Sequence, residues 1–321
     1  MWGGMKRRAF LIRTAAVGAA VAGGLWLKDH VLWRKPRLSF GTDGSSGWSP
    51  LAVTETATPT VRVDMAGRSF VALIDSGAQY SVIDRALVAE LDLTDVFDMP
   101  LVAYGVGGRP QVGRGTTLAI TVGDLRIEGL RAAILDLGPL AREEGLGAPL
   151  ILGQDVLGEA VLDIDMKGRR VRLTRPDAHV PPPSVRPLAV RRSGTALTTE
   201  IVVEGTPLTA VIDTGSSALA ALSRSAAEAA GLLDGRPERS GSSIVLGGLT
   251  SARVVEARRV VVGDEVWNGT EVHVYADAPL PNYPRALLGM AAFADRQVVL
   301  DLGRGRLHLS SEMDLMVGPP A

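Results

Sequence analysis

From about residue 59 onward, apolar positions fall in short blocks rich in Val, Ile and Thr, with turn residues between them at close intervals. Blocks of this length and composition predict successive β-strands and an all-β fold. Val63–Met65 and Phe70–Ile74 flank Gly67 as strand, turn, strand, and end on the sharp turn Asp75-Ser76-Gly77. Ile201–Val203 and Leu208–Ile212 flank Gly205 in the same way before Asp213-Thr214-Gly215. Two stretches predict short helices instead: Arg85–Leu91 after Asp84, and Ser225–Ala230 with Ser223 as cap and Gly231 as stop.

The two strand-turn-strand blocks align without gaps at an offset of 138 residues, and the echo continues. Gly107-Gly108 matches Gly247-Gly248, Val122-Gly123-Asp124 matches Val262-Gly263-Asp264, and Gly129 matches Gly269. Ile151-Leu152-Gly153 matches Leu287-Leu288-Gly289, and Val161-Leu162-Asp163-Ile164 matches Val299-Leu300-Asp301-Leu302. A near-constant offset over about a hundred residues means a duplicated unit. The expected architecture is two β-rich lobes, 59–175 and 188–311, with a few short helices and a tail at 312–321. The stretch 176–187 holds Pro181-Pro182-Pro183 and predicts an extended connector that cannot be a central strand.

Composition narrows the chemistry. The chain of 321 residues is 46% hydrophobic and 21% charged, which is globular, and it contains no cysteine. Disulfides, thiolate metal sites and cysteine nucleophiles are excluded. The four histidines are too far apart for helical or hairpin ligand spacing, so no metal is expected. Residues 1–37 carry eight basic side chains against Asp29 alone, and the formal net charge of the whole chain is −1, leaving the body strongly acidic. An acidic body is a poor partner for nucleic acid.

The basic end reads as an export signal. Lys6-Arg7-Arg8-Ala9-Phe10-Leu11 precedes an Ala- and Gly-rich apolar stretch, with Ala20-Val21-Ala22 as a cleavage site. The arginine pair resembles a twin-arginine signal. The expected location is periplasmic or extracellular, with an uncleaved membrane anchor as the alternative for residues 1–37. Residues 38–58, with Gly44-Ser45-Ser46-Gly47, predict a flexible linker.

Each Asp-(Ser/Thr)-Gly triplet follows a wholly apolar run, Val71–Ile74 or Ala210–Ile212. A carboxylate at the end of a buried strand is costly unless it is paired or hydrogen-bonded. Finding it twice, at matching places in a duplicated unit, brings Asp75 and Asp213 together across a pseudo-twofold axis. Two carboxylates about 3 Å apart share one proton, giving a base for water and an acid for a carbonyl, with no cofactor or covalent intermediate. Gly77 and Gly215 permit the tight turn, and the Ser76 and Thr214 hydroxyls are placed to bond across the axis. Ser216, three residues after Asp213, carries a hydroxyl where lobe 1 has Ala78. That difference predicts Asp213 as the more readily ionised partner.

The stretch from Ala72 to Ile83 resembles the active-site segment of retropepsin-like aspartic proteases, and Ile212–Ser217 resembles its partner. Ile151-Leu152-Gly153 and Leu287-Leu288-Gly289 are similar to the apolar-apolar-Gly segment that closes the active-site loop in that family. Tyr104-Gly105-Val106-Gly107-Gly108 lies where the family has its flap, and Gly247-Gly248 would serve lobe 2. The resemblance covers about residues 60–310. It implies an endopeptidase that holds a polypeptide substrate between lobes, with one chain carrying both halves and active as a monomer. A non-catalytic binder of peptides or envelope ligands on the same scaffold is the alternative. Asp163 and Asp301 also repeat, and they read as turn or strand-end residues. His179, in the proline connector, reads as solvated.

Overall fold

The computed structural model describes residues 34–54, 56–103, 111–142, 145–245, 248–277 and 284–310. The expected signal, the Tyr104–Gly108 flap, Gly247 and the tail lie outside them. In chain order the first half gives β1 (Arg37–Ser39), β2 (Ser49–Pro50), β3 (Thr60–Met65), β4 (Arg68–Ile74), β5 (Val82–Asp84), β6 (Val96–Ala103), β7 (Gln111–Val122), β8 (Leu125–Leu135), β9 (Leu150–Leu152), β10 (Val161–Asp165) and β11 (Arg170–Thr174). The second half gives β12 (Val185–Leu188), β13 (Arg191–Ser193), β14 (Ala196–Val203), β15 (Thr206–Ile212), β16 (Ala220–Ser223), β17 (Glu238–Val245), β18 (Gly248–Val262), β19 (Glu265–Tyr275), β20 (Ala286–Leu288), β21 (Gln297–Asp301) and β22 (Arg306–Ser310). The α-helices are short: α1 (Arg85–Glu90), α2 (Gln154–Leu157) and α3 (Arg224–Ala229).

Each lobe is a sheet closed into a six-stranded ring. In lobe 1 the ring runs β8-β5-β9-β4-β3-β7 and back to β8; in lobe 2 it runs β14-β15-β20-β16-β19-β18 and back to β14. The strands carrying the triplets are central and buried. β4 pairs parallel to β9, with Ile74 opposite Leu152, and β15 pairs parallel to β20, with Ile212 opposite Leu288. Such strands are apolar on both faces because both are covered. Ala72, Ile74, Leu152, Ile212 and Leu288 all belong to the core.

The two predicted helices form, one residue from their expected ends. The Asp84 side chain caps α1 by accepting from the Ala86 amide (2.9 Å), and Ser223 caps α3 by accepting from Ala226 (3.2 Å). Gly231 follows α3 with φ +69°, a left-handed stop that favours glycine.

A third sheet joins the lobes. Its order is β12-β22-β21-β10-β11-β2, with three strands from each half. This corrects the expected flexible linker at 38–58. β1 pairs with β8, β2 pairs with β11, and Ser45 and Ser46 are buried. The Gly-Ser composition serves tight turns there, with Gly44 at φ +77° and Gly47 at φ +68°. The proline connector is not extended throughout: it turns at 176–178 and 183–184 before Val185, where β12 begins as an edge strand, a place that tolerates Pro187.

Asp301 ends β21 and accepts from the Arg304 amide (2.8 Å), as a strand-end residue should. Asp163 does not: it lies in the middle of β10 with its side chain fully buried. Its partners are Arg172 (3.2 Å) and His179 Nε2 (3.0 Å), and the His179 side chain is only 4% exposed. The connector therefore folds back over the sheet rather than leaving His179 in solvent. A buried carboxylate needs such partners, and neither is adjacent in sequence.

Candidate active site

β4 and β15 deliver Asp75 and Asp213 to the junction of the lobes. Their amides donate to the last carbonyls of the neighbouring parallel strands, Asp75 to Leu152 and Asp213 to Leu288, both at 2.9 Å. The apolar-apolar-Gly segments therefore hold the active-site turns from behind. Gly153 and Gly289 pack so tightly on the turns that a Cβ would fall 2.6 Å from the Tyr80 carbonyl carbon and 2.4 Å from the Ala218 oxygen. Just beyond, the Gln154 amide donates to Ala78 O (2.9 Å) and the Met290 amide to Ser216 O (2.8 Å).

The middle residues of the triplets lock the lobes together. The Ser76 amide donates to Thr214 Oγ1 (2.8 Å), and the Thr214 amide donates to Ser76 Oγ (3.1 Å). Each hydroxyl then donates into the opposite strand, Ser76 to Ile212 O and Thr214 to Ile74 O, both at 2.8 Å. All four bonds are buried, so breaking one strands a polar group away from water.

The glycines bring the carboxyls together. A Cβ on Gly77 would lie 2.8 Å from Asp213 Oδ1, and one on Gly215 would lie 2.5 Å from Asp75 Cγ. Each triplet glycine thus packs against the aspartate of the other lobe. The two carboxyls therefore face each other across the axis and titrate as a pair. Both are half-buried.

Their surroundings are unequal. Asp75 Oδ1 accepts from Gly77 (2.8 Å) and Ala78 (3.1 Å) amides. Asp213 Oδ1 accepts from Gly215 (2.9 Å); the Ser216 amide lies 3.2 Å from the Asp213 main-chain oxygen and also lowers the Asp213 carboxyl. Burial raises both carboxyls above the usual range. Asp213 is pushed well above it, because the charge of Asp75 adds to burial. This reverses the expectation drawn from Ser216. Its hydroxyl lies beside Gly289, 2.8 Å from where a Cβ would be, and makes no hydrogen bond to Asp213. Burial and the neighbouring charge make Asp213 the harder of the two to ionise.

Of the residues singled out from sequence, the structure gathers Asp75, Ser76, Gly77, Ala78, Thr214, Gly215 and Ser216 with Ile151-Leu152-Gly153 and Leu287-Leu288-Gly289 behind them. Gly248 opens β18, paired with Val245 across the tip of the β17–β18 hairpin. Two residues of lobe 1 were missed. Asp155 is half-buried and accepts from the Ser81 amide (3.0 Å) and hydroxyl (2.7 Å), and desolvation raises its carboxyl. Gln154 is buried with its Nε2 on the Ser76 carbonyl (2.7 Å). Their available sequence signal was the polar pair following Gly153. Lobe 2 has Met290-Ala291 there.

A family model described as aspartyl protease matches residues 61–156 and again 199–292, together more than half of the chain. The chain belongs to the aspartyl protease family. Among solved structures, a retropepsin-like aspartic protease from Rickettsia conorii is 21% identical with TM-score 0.31, over 39% of this chain and 89% of that one. Basic 7S globulin from soybean is 11% identical with TM-score 0.43, over 82% of this chain and 94% of that one. These are distant likenesses, and the assignment rests on the family model and the chain's own topology. Comparison with curated proteins gives no match.

Proposed function

We propose that the chain is an aspartic endopeptidase that hydrolyses peptide bonds with a water molecule activated between Asp75 and Asp213. The observation that carries this reading is the symmetric pair of triplets, interlocked through Ser76 and Thr214, with each triplet glycine packed against the other lobe's carboxyl. Asp75, ionised, takes a proton from water as the oxygen attacks the scissile carbonyl. Asp213 gives its proton to the carbonyl oxygen, and a tetrahedral diol forms. Proton return to the leaving amine then breaks the C–N bond and restores the single shared proton. Substrate lies between the lobes under the hairpins β6–β7 and β17–β18. One chain supplies both halves, so the monomer is the active species.

The test is hydrolysis of a peptide library by the purified chain at several pH values, beside D75N and D213N. Wild type should cleave and bind a statine-type transition-state analogue. Each variant should lose at least about a thousandfold in kcat with the fold kept. A variant that retains turnover removes the dyad from the chemistry.

Export through the Arg7-Arg8 signal to the periplasm or beyond is part of the proposal, supported by the basic-then-apolar layout of residues 6–24. R7K with R8K should hold the protein in the cytoplasm, read by cell fractionation. Unchanged export would point to the general secretion route.

A further inference from the structure

The Gln154 side chain acts at one remove from the dyad. Its Nε2 donates to the Ser76 carbonyl (2.7 Å), and the N–H of that same peptide unit, on Gly77, donates to Asp75 Oδ1 (2.8 Å). Amide, peptide and carboxylate thus form one chain of hydrogen bonds. A donor on a peptide oxygen polarises the peptide and strengthens its N–H bond. The amide orientation is fixed, because the reverse would face oxygen with oxygen. Gln154 Oε1, in contrast, is buried without a partner among the described residues. An amide half left unsatisfied disfavours the residue on stability grounds alone, so a methionine would suit the space better. Lobe 2 has that methionine. Met290, fully buried, keeps the main-chain bond to Ser216 O (2.8 Å), but its side chain has no N–H to place behind the Thr214–Gly215 peptide.

We propose that Gln154 is a positioning residue that, through the Ser76–Gly77 peptide, makes Asp75 rather than Asp213 the ionised base. This rests on reading the two aspartates as an acid–base pair. The ionisable group facing Asp75 is Asp213, and Asp155, next to Gln154, is engaged by Ser81.

The experiment compares full-length wild type, Q154M and Q154E by 13C NMR titration of the aspartate carboxyls and by kcat/KM against pH. In Q154M the lower of the two macroscopic dyad values should rise by about half to one unit. The acidic limb of kcat/KM should move with it and KM should stay unchanged, since Gln154 lies behind the loop. Q154E restores a donor while protonated. It should therefore keep the wild-type acidic limb and lose activity earlier on the alkaline side as the new carboxyl ionises. A folded Q154M with an unmoved lower value overturns the proposal. If Q154M does not fold, Q154E decides, and an alkaline limb equal to wild type overturns it. Absence of hydrolysis by wild type would sink the protease reading instead, and the NMR titration would still judge Gln154.

Discussion

The two lobes share a skeleton and differ in what backs it. Both present an aspartate from a buried strand, both close the turn with an apolar-apolar-Gly segment, and both cap a short helix just beyond. Behind the lobe 1 turn stands a polar set, Ser81, Gln154 and Asp155; lobe 2 has Leu219, Met290 and Ala291 in that region. Even an equivalent bond changes hands: Gly153 N donates to the Ser81 hydroxyl (3.1 Å), whereas Gly289 N donates to the Leu219 main chain (3.0 Å). Duplication preserved the geometry that brings two carboxyls together. The difference between the lobes lies in the side chains one layer back.

The strongest way to break the symmetry is at the triplet glycines. G215A puts a methyl 2.5 Å from Asp75 Cγ, and G77A puts one 2.8 Å from Asp213 Oδ1. Overpacking of this kind costs about 1–3 kcal/mol, and both variants should be inactive. G215A should unfold at the lower temperature, because its clash is with the carboxyl carbon rather than an oxygen. Equal melting temperatures would mean that the interface relaxes evenly about its axis.

A middle-sized effect separates the aspartates by pH. Both hold a proton more tightly in the folded chain than in the unfolded one, and Asp213 more so. Their contribution to stability is therefore in place below the ordinary carboxylate range and is lost as pH rises through the raised values. D213N removes the larger part of that loss. It should melt above wild type at pH 7 by about 2–4 °C, with the gap closing at pH 4. A gap that widens on acidification would reverse the assignment of the proton.

The smallest effect sharpens the comparison at the helix caps. Asp84 accepts from Ala86 and also from Leu137 (both 2.9 Å), whereas Ser223 caps Ala226 at 3.2 Å. S223A should cost about 1 kcal/mol and D84A somewhat more, by chemical denaturation. Equal costs would make the Leu137 bond energetically silent.

The sequence exposed what backbone geometry dictates. The dyad turns, the closing glycines and the two helices each need particular residues at fixed local spacing, so they could be read in order. What stayed hidden depends on partners far along the chain. The Ser46 carbonyl accepts from the Asp124 amide, and Asp163 finds His179. Gly-Ser composition therefore looked like a linker, and a histidine among prolines looked solvated. Ser216 misled because its position after Asp213 says nothing about where its hydroxyl turns.

The sheet between the lobes has a consequence for ancestry. At its centre β10 meets β21 antiparallel, with Leu162 opposite Leu300 and Asp163 opposite Val299. At the repeat offset Leu300 is the counterpart of Leu162, so the strand faces a reversed copy of itself. That is the isologous geometry in which identical halves can pair. A half-length gene of this kind would encode a surface for its own twin. Joining two such halves in one chain requires only a connector from β11 to β12, the place the stretch with three prolines holds here.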